Sequence, residues 1–501
     1  MDPYIERILK AQIYDLVRET PLQYAPRLSD DTGQQVWIKR EDLQPIFSFK
    51  LRGAYNRLRQ LSPAQRARGV IAASAGNHAQ GVAMAAAHLQ IPATIYMPET
   101  TPSIKVDAVR ARGAKVELLG DDFDTARRAA EHACQQTSAT YVPPYDDPDV
   151  IAGQGTVAME ILRQHPGPID AIFVPVGGGG LIAGIAAYMQ FLSPQTRIIA
   201  VEPDDAASLA AALKVGAPTE LPRVGIFADG VAVRQVGTEP FRVLQGKVSE
   251  ALQVTTDEIC AAIKDIFQDN RSMPEPAGAL AVAGLKRYAE RSGKRGETLV
   301  AIESGANLSF DRLRHVAERA VLGEQREVLL AVSIPEQRGS FLRFCQQVGR
   351  LPITEFNYRL TPGPDAHIFV GVGVPEREQQ HRELVHRLDQ AAYEIVDLTQ
   401  DELGKLHLRF MVGGRVSAPI AERLYAFEFP ERPGALLNFL ERLGDQWNIT
   451  LFHYRNHGAA WGRVLVGIEA SDSTSLQQAL DRTGYAYQDE SDNPAYKLFL
   501  R

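Results

Sequence analysis

From about Val36 to Leu330, short β-branched apolar runs alternate with longer Ala-rich stretches of helical spacing. Val70-Ile71-Ala72, Ala93-Thr94-Ile95-Tyr96-Met97, Ile172-Phe173-Val174-Pro175-Val176 and Ile198-Ile199-Ala200-Val201 are the clearest runs. Strand and helix in regular alternation predict an α/β fold with parallel strands. After Leu322-Gly323-Glu324-Gln325-Arg326-Glu327 the order of elements changes and the Ala content falls, so a domain boundary is expected there.

Beyond the boundary the chain repeats itself. Ser333-Ile334-Pro335-Glu336-Gln337-Arg338-Gly339-Ser340-Phe341-Leu342 matches Glu428-Phe429-Pro430-Glu431-Arg432-Pro433-Gly434-Ala435-Leu436-Leu437, and Glu355 to Arg359 matches Leu451 to Arg455. Gly339 and Gly434 are 95 residues apart and Tyr358 and Tyr454 are 96 apart, so the register holds through the unit. Each copy reads strand, Pro/Gly turn, amphipathic helix, strand, strand (Phe369 to Val374; Arg463 to Glu469), helix, strand. That order predicts two ferredoxin-like α+β units.

Composition narrows the picture. The 501 residues are 45% apolar and 23% charged, enough chain for two or more cores. A net charge of -7 supplies no basic surface for nucleic acid or anionic lipid, and neither partner is expected. Cys134, Cys260 and Cys345 are odd in number and lack CxxC spacing, which suits a reducing cytoplasm rather than a disulfide framework or a zinc site. Met1 to Arg18 has neither a signal core nor a transit composition, so the mature chain is expected to start here. No apolar run approaches the ~20 residues that span a bilayer.

Four segments carry candidate chemistry. In Ser48-Phe49-Lys50-Leu51-Arg52-Gly53-Ala54, which follows a strand-like Val36 to Lys39, the lysine opens a helix. Alone it would be a surface cation near its reference pKa of ~10.4. A lysine that attacks a carbonyl must instead be partly desolvated, and Phe47, Phe49 and Leu51 are candidate apolar neighbours. In Val174 to Gly184, a buried-strand pattern runs through Gly177, Gly178, Gly179 and Gly180 into an apolar helix at Leu181. Glycines let backbone N–H groups close on an anion at the positive end of a helix, which predicts a phosphate cradle. A flexible linker is the alternative, but linkers are not flanked by strand and helix. Neither a dinucleotide pattern nor a Walker loop fits, so a monophosphate is the expected ligand. In Ser74-Ala75-Gly76-Asn77-His78, Asn77 can donate to a phenolate oxygen and the N–H groups from Ser74 to Gly76 can hold a carboxylate, although Ser74 could equally be a simple helix cap. Ser304, in Glu303-Ser304-Gly305-Ala306-Asn307, puts a hydroxyl at the end of an apolar strand.

Together these motifs resemble the fold type II (tryptophan synthase β-like) pyridoxal-phosphate enzymes. With Lys39-Arg40-Glu41-Asp42, Val150 to Thr156 and the doubled C-terminal unit, the whole chain is similar to the biosynthetic threonine dehydratase (threonine ammonia-lyase) family, whose catalytic domain precedes two ACT-like regulatory domains. The resemblance implies a catalytic domain over 1–322 and ACT-like domains over 327–400 and 423–494. It implies pyridoxal 5'-phosphate as cofactor, with Lys50 as its lysine, Asn77 on the ring hydroxyl, Gly177, Gly178, Gly179, Gly180 and Leu181 around the phosphate, and Ser304 on the pyridine nitrogen. It further implies a cytoplasmic homotetramer that converts L-threonine to 2-oxobutanoate and ammonia, and L-serine to pyruvate, inhibited by L-isoleucine and opposed in this by L-valine. Some relatives bind a divalent cation through a carboxylate before an Ala-Asp-Gly turn; here Gly225-Ile226-Phe227 precedes Ala228-Asp229-Gly230, and no required metal is expected. Catabolic dehydratases and serine racemases share the N-terminal motifs without the doubled unit. A catalytically dead amino-acid sensor would not need Lys50, Asn77, the glycines and Ser304 intact.

Overall fold

A computed structural model describes residues 3–120, 123–360, 363–376, 378–401, 404–405, 420–430, 434–455, 461–470, 472–494, 496 and 500. The chain forms two compact units, 1–320 and 321–501.

In the first unit, a six-stranded sheet has the spatial order Leu22–Tyr24, Gln35–Arg40, Thr298–Glu303, Ala171–Pro175, Arg197–Pro203, Glu250–Val254. All neighbours are parallel except the first pair. A second, all-parallel sheet has the order Lys115–Leu118, Ala93–Met97, Val70–Ala73, Thr140–Tyr141. Val70–Ala73, Ala171–Pro175 and Thr298–Glu303 are buried along their whole length, as a sheet covered on both faces requires, whereas Ala93–Met97 is fully buried only at Ile95 and Met97. Alternate residues serve different cores. Ile172, Val174 and Val300 pack with Ile151, Ile182 and Ile185 from the helices Pro148–Gln164 and Gly180–Leu192. Phe173, Leu299 and Ala301 pack on the other face with Ile263, Leu280 and Leu285 from the helices Thr256–Asn270 and Pro276–Ser292.

The second unit bears out the doubled split βαβ pattern. Its antiparallel sheet has the order Glu394–Asp397, Glu327–Pro335, Asp365–Gly373, Ile353–Arg359, Asn448–Arg455, Trp461–Glu469, Glu422–Pro430, Ala486–Asp489. Two four-stranded halves therefore meet edge to edge, and each edge strand satisfies the other's free backbone groups. Asn357 lies opposite His453, its own counterpart in the repeat. The halves share one core, in which Phe341 and Phe356 have ring centres 4.8 Å apart and Phe356 and Phe452 5.6 Å apart. Glu431, Arg432 and Pro433 of the matched turn lie outside the described residues. No helix among the described residues is long and apolar enough to cross a membrane.

Candidate active site

The loops after Ala73, Pro175 and Glu303 leave the carboxyl ends of parallel strands, where open α/β sheets place their ligand crevices. They carry three of the four motifs. The fourth, Ser48-Phe49-Lys50, is stitched to the Ser304 loop: Phe49 N–H donates to Ser304 O at 3.2 Å, Ala306 N–H to Phe47 O at 2.9 Å, and Ser48 bridges Gly305.

Lys50 is the first residue of the helix Lys50–Arg59, and its Nζ donates to Pro144 O at 3.0 Å while lying 5.3 Å from the centre of the Phe49 ring. Burial pushes its pKa from the ordinary 10.5 down to about 8, against the opposing charge of Glu275. The amine is thus neutral in a useful fraction of molecules near neutral pH. Of the expected apolar neighbours, Leu51 is fully buried and Phe49 is packed against the core, but Phe47 is 54% exposed. The reason is local: Phe47 has a left-handed φ of 59°, in the turn that its N–H closes onto Gln44 O.

Glycine is required at the turn from Gly177 to Gly180. Gly179 takes φ of +88° and caps the helix that starts at Gly180, and a Cβ on Gly178 would fall 2.2 Å from the Tyr145 ring. A Cβ on Gly177 would meet Val231 Cα at 2.9 Å. The backbone can approach an anion here, and the first-turn N–H groups have no intrahelical acceptor. Tyr145 follows Pro144, so one short segment touches both the Lys50 amine and the glycine turn.

Asn77 opens the helix Asn77–His88. Its Nδ2 donates to Glu275 Oε1 at 2.6 Å, and its Oδ1 accepts from Asn307 Nδ2 at 2.6 Å. Ser74 is not the helix cap, which is Gly76; its Oγ accepts from Gly76 N–H at 3.2 Å and its own N–H donates to Tyr96 O. Two of the three N–H groups expected to hold a carboxylate are therefore engaged, because the chain turns sharply between strand and helix. His78, held down to about 3 by burial and the charge of Lys50, is neutral, and its Nε2 donates to Val142 O at 2.9 Å. Ser304 is buried, its Oγ donating to Ala277 O at a long 3.3 Å.

Sequence reasoning passed over Glu275 and Tyr145. Neither sits in a recognisable motif, and Glu275 is 198 residues from the Asn77 it bonds. Asn307 stood inside a quoted motif without an assigned role.

These residues fit pyridoxal phosphate. The glycine turn suits the phosphate, the desolvated Lys50 amine suits an aldehyde, and buried Ser48 Oγ, two residues from Lys50, has no hydrogen-bond partner among the described residues.

Comparison with known proteins agrees. The family described as pyridoxal-phosphate dependent enzyme matches residues 13–305. The family described as C-terminal regulatory domain of threonine dehydratase matches 318–408 and 413–500. The biosynthetic L-threonine dehydratase IlvA of Pasteurella multocida is 52% identical over 500 residues, covering 99% of this chain and 97% of that protein. The Escherichia coli K12 protein of the same name is 52% identical over 498 residues, with 99% and 97% covered. Among solved structures, the processed form of threonine deaminase isoform 2 from Solanum lycopersicum aligns with a TM-score of 0.62 at 48% identity, over 63% of this chain and 92% of that one. The chain belongs to the biosynthetic threonine dehydratase family, pyridoxal-phosphate-dependent lyases with a C-terminal regulatory region.

Proposed function

We propose that this enzyme removes ammonia from L-threonine to give 2-oxobutanoate, and from L-serine to give pyruvate, under the control of isoleucine. The observation that carries the reading is the depressed, buried Lys50 amine beside a glycine turn built for a phosphate. Bound pyridoxal phosphate supplies an electron sink that acidifies the substrate Cα. Lys50 would hold the cofactor's carbonyl carbon, and its freed Nζ would take the substrate Cα proton. The N–H groups from Gly177 to Leu181 would hold the phosphate, and Asn77 would donate to the ring oxygen. Ser304 Oγ, whose bond to Ala277 O is long, would turn to the ring nitrogen; a hydroxyl there would leave that nitrogen unprotonated, which would favour elimination over transamination. Ser304→Asp should raise the share of turnovers that end in transamination, read as cofactor converted to its amine form per oxoacid released. An unchanged ratio would refute the ring-nitrogen assignment.

Residues 327–400 and 423–494 are the regulatory domains in this reading, and the homotetramer of the family is the assembly. Isoleucine is the end product of the pathway that 2-oxobutanoate feeds, and valine should oppose it. An effector acts only if it binds one global state better, with a coupling of about 1–3 kcal/mol, or roughly 5–150-fold in affinity. Oxoacid formation from threonine and serine, assayed with and without isoleucine and valine, tests both halves. Absence of oxoacid from either substrate refutes the catalytic half, and an activity indifferent to isoleucine refutes the regulatory half.

A further inference from the structure

Glu275 occupies the N-cap position of the helix Pro276–Ser292, where an acidic side chain ordinarily accepts from the first-turn N–H groups. It makes no such bond. The carboxylate instead turns toward Asn77 and accepts its Nδ2–H at 2.6 Å. Room for it is left by Gly305, whose added Cβ would stand 2.8 Å from Glu275 Oε1. Burying an acid here is costly. Desolvation and the charge of Asp229 push its pKa up to about 7, against the Asn77 hydrogen bond and the cations Lys105 and Arg312. Lys50 is the further charged group that feels it.

The other end of the Asn77 amide is also constrained. Asn307 Nδ2 donates to Asn77 Oδ1 at 2.6 Å and to the backbone oxygen of Ile46 at 2.8 Å. A backbone carbonyl only accepts, so it fixes which end of Asn307 faces it, and Asn307 in turn fixes Oδ1 of Asn77 as the acceptor. The Asn77 amide is gripped at both ends. Of its two N–H groups, one is committed to Glu275 and one is left.

We infer that Glu275 is a positioning residue, which with Asn307 clamps the Asn77 amide so that its remaining N–H faces the oxygen of the cofactor ring. The inference rests on the proposed reading of Asn77 as the ring-oxygen ligand. Clamping raises the affinity for the cofactor because the amide's rotational freedom is already lost before the ring arrives.

The test uses purified full-length holoenzyme and reads the visible absorption of the bound cofactor together with its dissociation constant. Glu275→Ala should shift the band and raise the dissociation constant roughly tenfold, the scale of one well-oriented hydrogen bond. Asn77→Ala should do the same, and Glu275→Ala added to Asn77→Ala should do nothing more, because both act through one amide. Glu275→Gln, whose side-chain oxygen can accept the same N–H, should restore the native band. If Glu275→Ala does not fold, Asn307→Ala releases the other end of the clamp and carries the same expectations. An unchanged band in Asn77→Ala would overturn the ring-oxygen reading and this inference with it. A shifted Asn77→Ala beside an unshifted Glu275→Ala, multiplying effects in the double variant, or no rescue by Glu275→Gln would overturn this inference alone.

Discussion

Lys50→Ala is expected to lower the rate of oxoacid formation by at least about ten-thousandfold, because in the proposed function one amine both holds the cofactor and moves the Cα proton. Lys39 and Lys105 are committed elsewhere, Lys39 to the carboxylate of Glu160 and Lys105 to that of Asp229. The fold should survive the change. The Lys50 side chain donates to Pro144 O, and its low pKa means that the folded protein is better off without a buried ammonium. The measurements are oxoacid release, the visible band of the bound cofactor and a thermal melt. Substantial threonine deamination by a well-folded variant would remove Lys50 from the mechanism.

Arg52→Met is expected to destabilise the protein by about 3–5 kcal/mol, the cost of stranding buried carboxylates by deleting their partner. Arg52 lies two residues after Lys50 on the same helix, with its side chain fully buried. Its guanidinium grips Glu41 through Nε and Nη2, each at 2.7 Å, and Glu160 through Nη1 at 2.5 Å and Nη2 at 2.9 Å. Lys39 Nζ also donates to Glu160, at 2.6 Å. Removing the guanidinium leaves two buried carboxylates against one ammonium, which burial itself drives toward neutrality. Adding Glu41→Gln to Arg52→Met should recover part of the loss by neutralising one stranded acid. Denaturant unfolding midpoints decide: an unshifted midpoint for Arg52→Met would show that water or a rearranged partner replaces the guanidinium.

The same network explains two stretches that stood out only by resemblance. Lys39 and Glu41 come from one, and Thr156, which accepts from Arg52 Nη1 at 3.0 Å, comes from the other. Nothing in the spacing of Lys39-Arg40-Glu41 distinguishes a buried ion network from a solvated charged turn. The guanidinium at position 52 and the carboxylate at 160 settle it, and the carboxylate lies 121 residues beyond Lys39.

Local pattern was a sufficient guide to the elements. Unbroken β-branched runs become strands buried on both faces, because only such runs tolerate covering from two sides. The glycine quartet becomes a strand-to-helix turn, since no residue with a Cβ fits at Gly178. The 95- and 96-residue register becomes two like units, because like patterns bury like faces. What the pattern could not contain was partnership across the chain. Val70 to Ala73 and Ala171 to Pro175 read alike, yet they belong to different sheets. The repeats could have remained separate, but Ile353–Arg359 pairs with Asn448–Arg455 and fuses them into one sheet and one core. Lys50 acquires a pKa of about 8 only when Pro144 and the surrounding core exclude water from it, and Asn77 acquires its orientation only when Glu275 and Asn307 close on it. Strand and turn propensities are local energies that a short sequence window carries. Desolvation and the polarity of a hydrogen-bonded amide depend on groups that only the folded chain brings within a few ångströms.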